Sequence, residues 1–121
     1  MKYCLSIDLK QARVIEKGTE LLARLHMGQL EEIAYLFEGK LSTEDMQELK
    51  EKLKELEQIV KRRGINSKDI SDDARVSFDV YQVLRHQLMS DSNPHRMSQI
   101  GFDTPSRTAK QPLPKIEATQ D

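Results

Sequence analysis

The sequence predicts a mainly α fold of the α+β kind: four helices, a short N-terminal strand that could pair with a C-terminal strand, and a flexible tail. Three observations predict it. The prolines, Pro94, Pro105, Pro112 and Pro114, all fall late in the chain, so none interrupts helix before residue 94. Before residue 90 the apolar residues recur at helical spacing. At the start, Tyr3, Leu5, Ile7 and Leu9 instead alternate with Cys4, Ser6 and Asp8, which is a strand signal.

A lone strand needs a partner for its backbone groups, and the other strand material lies around residues 95–102, so the two ends of the chain are expected to pair. Cys4, among apolar neighbours, reads as a small hydrophobe near a core. The first helix is expected over residues 10–27, where Val14, Ile15, Gly18, Leu21, Leu22 and Leu25 share an arc of about 120°. Gly18 sits at the centre of that arc, and its cost inside a helix points to close approach by another helix. In the second segment the apolar face is Leu30, Ile33, Ala34, Leu36 and Phe37. One straight helix through Gly28 would rotate this face by about 90° from the first, so Gly28 reads as a break.

The third helix is expected from Ser42 to Arg63. Ser42 and Asp45 resemble a capping box, and Gly64 follows a basic end. Met46, Leu49, Leu53, Leu56 and Val60 space 3-4-3-4, a coiled-coil-like seam that fits an antiparallel partner within the chain or a homodimer. The fourth helix is expected from Ser71 to Met89, with Asp72 and Asp73 in its first turn. Ala74, Val76, Phe78, Val80, Tyr81, Val83, Leu84 and Leu88 cover about 220° of it, which makes it central to the fold. Beyond residue 90 the chain is polar with short apolar spots. The organisation expected is one mainly helical domain over 1–102 and a flexible tail over 103–121.

Composition narrows function. With 19 basic and 20 acidic residues the net charge is −1, which leaves no overall electrostatic footprint for nucleic acid. A single cysteine excludes an internal disulfide and a multi-cysteine zinc site. No apolar run approaches the length of a membrane span and no basic-then-apolar leader is present, so a soluble, intracellular protein is expected. His26, His86 and His95 form no i,i+4 metal pair, and neither a metal nor another cofactor is expected. Glu31, Glu32, Asp72, Asp73 and Asp79 do not complete the magnesium pattern of helical nucleotide pyrophosphatases. Tyr35 stands where their third first-helix carboxylate belongs, and no later ExxD follows. No nucleophile elbow or phosphate loop occurs, so no enzyme activity is expected.

Two polar patches are the candidate sites. Arg24, His26 and Gln29 surround the break at Gly28, where a helix N-terminus offers free amides to an anion. On the fourth helix Arg75, Asp79, Gln82 and His86 line up, with Arg85 at the flank, a row that could hold phosphate or carboxylate. The plainer reading of that row is a solvated face with an Arg75–Asp79 pair.

Two stretches carry a resemblance: Leu22-Ala23-Arg24-Leu25-His26-Met27-Gly28-Gln29-Leu30-Glu31-Glu32-Ile33, and Asp73-Ala74-Arg75-Val76-Ser77-Phe78-Asp79-Val80-Tyr81-Gln82-Val83-Leu84-Arg85-His86. They resemble small helical accessory proteins of tailed bacteriophages and prophages, which show a similar turn around M-G-Q and a later helix ending I/L-R-H. The resemblance implies the bacterial cytoplasm and an accessory role, and it carries over no catalytic residue. The leading expectation is therefore a non-catalytic protein that binds a host or phage macromolecule, foremost a protein. One alternative is a protein that binds or sequesters a small anionic nucleotide through the two patches. The other is a nucleic-acid accessory factor using Lys61, Arg62, Arg63 and Lys68.

Overall fold

A computed structural model of the chain describes residues 1–62, 70–92 and 104–119, with residues 91 and 92 described by backbone alone. The protein is mainly helical: α1 (Leu9–His26), a 3-10 helix (Leu30–Phe37), α2 (Thr43–Arg62) and α3 (Asp72–Ser92). The chain divides into two compact units, the first of Met1–Glu20 with Val76–Asp121 and the second of Leu21–Arg75. Both α1 and α3 contribute residues to each unit.

Among the described residues no strand forms. Residues 1–8 are irregular, Tyr3, Leu5 and Cys4 are exposed, and only Ile7 of the alternating set packs against the core of the first unit. The local reason is a helix start that the alternation concealed. Asp8 Oδ1 accepts the amide of Gln11 at 2.8 Å, and Gln11 Oε1 accepts the amide of Asp8 at 2.9 Å. This reciprocal capping box begins α1 at Leu9 and removes the last residue of the expected strand. Its expected partner at 95–102 lies outside the described residues.

Helix ends elsewhere follow their local chemistry. Ser42 Oγ accepts the amide of Asp45 at 3.1 Å, and Ser71 Oγ accepts that of Ala74 at 3.1 Å, capping α2 and α3. At the other end of α1, Gly28 has φ 80°, its amide bonds Leu25 O at 3.0 Å, and the Gln29 amide bonds Arg24 O at 3.0 Å. These two bonds define a Schellman motif, which requires the left-handed residue that glycine supplies. Gly28 is a helix stop.

The second segment is a 3-10 helix. With three residues per turn it cannot keep Leu30, Ile33, Ala34 and Phe37 on one face as an α-helix would. Ala34 is buried, while Tyr35, Leu36 and Phe37 emerge into solvent. This helix packs on α2, whose Leu53 is buried, but Leu56 in the same seam remains exposed. The seam of α2 is thus only partly covered by its own chain.

The core of the first unit joins Ala12 of α1 to Leu84 and Leu88 of α3, with Ile7, Ile15, Val80 and Ile116 around them. Ser77 Oγ donates to the Thr19 carbonyl at 2.6 Å, a bond that requires the two helix backbones to approach closely. The buried face of α1 in this unit is therefore Ala12, Ile15 and Thr19. It lies about 100° round the helix from the centre of the apolar arc read from the sequence. Val14, in that arc, is 63% exposed. Gly18 is also exposed, and a Cβ there would meet nothing within 4 Å, so it is not a helix contact.

The two glycines of α1 and its stop should respond oppositely to alanine. Gly18→Ala removes backbone freedom without a clash and is expected to stabilise by about 0.5–1 kcal/mol. Gly28→Ala forces a Cβ into the left-handed region and should destabilise by about 1–2 kcal/mol. Thermal melts of both variants check the pair; equal shifts in one direction would contradict this account of α1.

Candidate functional site

The eight polar residues singled out by the sequence are divided between the units. Arg24, His26, Gln29 and Arg75 belong to the second, and Asp79, Gln82, Arg85 and His86 to the first.

At the Gly28 corner the Schellman motif itself brings Arg24 and Gln29 together, because the third residue from a helix end and the residue just after its glycine face each other. Arg24 Nη1 donates to Gln29 Oε1 at 3.2 Å and lies 3.7 Å from the Glu32 carboxylate. His26 Nδ1 is 3.2 Å from Ser71 Oγ, the hydroxyl that caps α3. The Glu31 amide, at the start of the 3-10 helix, donates to Glu57 Oε1 at 2.8 Å. Glu57 of α2 therefore stands where an external anion would meet that amide, and Lys54 lies 3.9 Å from Glu31. Lys61, one of the residues considered for nucleic acid, lies 3.9 Å from the other oxygen of Glu57. Arg62 ends α2, and Arg63 and Lys68 lie outside the described residues.

On α3 the row is exposed at Arg75 but not at Asp79. Asp79 is 2% exposed. A carboxylate so far from water needs donors, and residues 108 and 109 provide them. The Thr108 amide reaches both oxygens at 3.1 Å, the Thr108 hydroxyl donates at 2.6 Å, and the Ala109 amide donates at 3.0 Å. Gln82 Nε2 adds a bond to Asp79 at 3.2 Å. The same Nε2 donates to Ser106 O at 2.8 Å, while Gln82 Oε1 accepts the Ser106 amide at 3.1 Å. Asp79 and Gln82, three apart on one helix face, thus hold the backbone of residues 106–109.

These partners were absent from the reading of the sequence. The signal for them was a polar strip on a helix otherwise apolar enough to be central, since a buried polar group must find its bonds somewhere. Arg85 is engaged elsewhere, 6.0 Å from the Tyr81 ring centroid and within the field of Glu16 of α1. Arg75 too interacts within the protein. His86 Nδ1 is buried without a hydrogen-bond partner among the described residues.

Chemically, the first unit gathers an ionic cluster of Glu16, Glu20, Tyr81 and Arg85 around the α1–α3 contact. Burial pushes the Glu16 carboxyl above its ordinary value of 4.5, against the attraction of Arg13 and Arg85. Burial and a hydrogen bond to Glu20 likewise raise the Tyr81 phenol above 10.0. A separate shallow groove on α1 is lined by Leu9, Lys10, Arg13, Val14 and Lys17. No group of three metal-ligating side chains forms, and no helix is long and apolar enough to cross a membrane, among the described residues. Comparison with protein-family models, with curated proteins and with solved structures gives no match.

The raised Glu16 value sets a sign for pH dependence. Folding favours its protonated form, so its contribution to stability is complete below 4.5 and is lost as pH rises through the higher folded value. Glu16→Gln should therefore gain stability relative to the parent between pH 4 and pH 7. Urea unfolding at the two pH values reads the difference; one that does not change with pH removes Glu16 as its source.

Proposed function

We propose that the protein is a small non-catalytic accessory protein that works by binding another protein. The observation that carries this reading is the apolar surface left on two elements that pack together. Tyr35, Leu36 and Phe37 of the 3-10 helix and Leu56 and Ile59 of α2 are all exposed, with Leu41 on the turn between. Aromatic and large aliphatic side chains exposed in number on adjoining elements mark interaction surfaces, and aromatic residues are the common anchors of binding energy.

The buried set points the same way. Among the described residues eight hydrophobic ones are buried and five of these are alanine, so the large apolar side chains there are mostly unspent on the core. By contrast, the polar residues that would serve an anionic nucleotide are engaged internally: Arg24 with Gln29 and Glu32, Asp79 and Gln82 with residues 106–109. The likeness of the Met27-Gly28-Gln29 turn and the α3 sequence to phage and prophage accessory proteins supports a bacterial cytoplasmic setting. The partner class is a protein, either of the host or of the phage, and a second copy of the chain is one such protein. The anionic-ligand reading keeps one supporting feature, the presence of Lys10, Arg13 and Lys17 in the lining of the α1 groove.

The test uses the full chain carrying Leu56→Glu and Ile59→Glu, two exposed positions where stability should change by less than about 0.5 kcal/mol each. Native mass spectrometry of parent and variant, isolated from the cells that make them, should show a bound protein or second copy on the parent that the variant loses. Equal masses with unchanged helical content would overturn the assigned surface. A nucleotide retained by the parent in place of a protein would overturn the function.

A further inference from the structure

We infer that Asp79 and Gln82 of α3 form a peptide-recognition site, which the protein's own residues 106–109 occupy and which accepts a similar peptide from another molecule. The inference concerns the first unit and is independent of the apolar surface on the second.

The bonds that hold the segment are of a kind any polypeptide can make. Gln82 presents its amide edge to Ser106 and satisfies both the N–H and the C=O of that residue, at 3.1 and 2.8 Å. A side-chain amide used in this way copies the hydrogen-bonding edge of a neighbouring strand and reads backbone without regard to sequence. The Asp79 carboxylate then gathers two successive backbone amides, of Thr108 and Ala109.

Selectivity comes from two features. The Thr108 hydroxyl donates to Asp79 Oδ1 at 2.6 Å, which calls for a hydroxyl side chain at that position. Ala109 is only 6% exposed, so the next position admits a small side chain. Ser106 is held through its backbone and Arg107 is exposed, so neither side chain is selected. Seven residues beyond Ala109, Ile116 packs against Ala12, Leu84 and Leu88 and adds an apolar anchor. The ligand class is a peptide with a hydroxyl residue followed by a small one, a bend there as at residues 109–111, and, further on, a branched aliphatic residue.

Release of the resident segment is accessible for a physical reason. Asp79 is buried beneath residues that themselves donate to it, so on their departure water takes their place. The carboxylate is then solvated and no charge is stranded. A competitor in solution must nevertheless overcome the tether, which gives the resident segment an effective concentration on the order of millimolar.

The experiment measures fluorescence anisotropy of a labelled synthetic peptide of residues 104–119 against full-length proteins. Native protein should bind it weakly. Ala109→Asp, which places a charge in the buried slot, and Ser106→Pro, which removes the amide that Gln82 accepts, each weaken the resident segment from a different position. Either should bind the labelled peptide at least about tenfold more tightly than native protein does. Adding Gln82→Ala to either variant should abolish the gain, and a peptide with Thr108→Val should bind about tenfold more weakly. If both weakened variants keep their helical circular dichroism and bind no better than native protein, the site does not exchange its occupant and the inference is overturned. A gain that survives Gln82→Ala overturns it equally, because the peptide would then be bound elsewhere.

Discussion

The first unit depends on how α3 satisfies one buried carboxylate. Asp79 lies on the helix that carries Leu84 and Leu88, and its burial would cost several kcal/mol without donors. The donors come from a segment 29 and 30 residues further along the chain. Those bonds hold residues 106–109 on α3, and the same segment delivers Ile116 to the apolar cluster. On another side of α3, Ser77 reaches the Thr19 carbonyl of α1. One helix is thereby engaged by α1 and by the C-terminal segment, through polar contacts in both cases. The apolar contacts are modest, since the buried side chains of the cluster are one alanine and two leucines.

The second unit is organised by a different constraint. The stop at Gly28 and the left-handed Gly39 bound a stretch that is too apolar for a loop and too short for a stable α-helix. It forms a 3-10 helix whose Glu31 amide is met by Glu57. This leaves its aromatic residues at the surface, and the binding role proposed above follows from that geometry. The same Glu57 lies beside Lys61, so one carboxylate ties the 3-10 helix to α2 and also screens the basic end of α2.

What could be read from the sequence was what local chemistry determines. Ser42, Ser71 and Gly28 marked helix ends because a hydroxyl or a glycine acts within four residues of itself. The four helical segments followed from periodicity for the same reason. The alternation at Tyr3–Leu9 gives no strand among the described residues, where Asp8 and Gln11 carry a competing signal for a helix start. The face of α1 was misjudged because counting apolar residues weighs side-chain size, whereas the contact is made by the small residues Ala12, Thr19 and Ser77. Of the candidate site, Asp79 and Gln82 could be identified as unusual polar residues on a central helix. Their partners could not, because Ser106, Thr108 and Ala109 are ordinary in composition and their bonds span a quarter of the chain.

An interior built so largely of alanine changes which substitutions matter. In a leucine-rich core the damaging changes delete methylenes and open cavities. Here Ala12, Ala23, Ala34, Ala74 and Ala109 have almost nothing to delete, and each sits where the backbone or a side chain of a neighbour already fills the space. Truncation at these positions removes a single methyl, whereas any enlargement must push apart what packs there. Tolerance across the chain is thus inverted relative to a leucine core. The least conspicuous residues are the least replaceable, and many of the bulky ones at the surface are free to vary as far as folding alone is concerned.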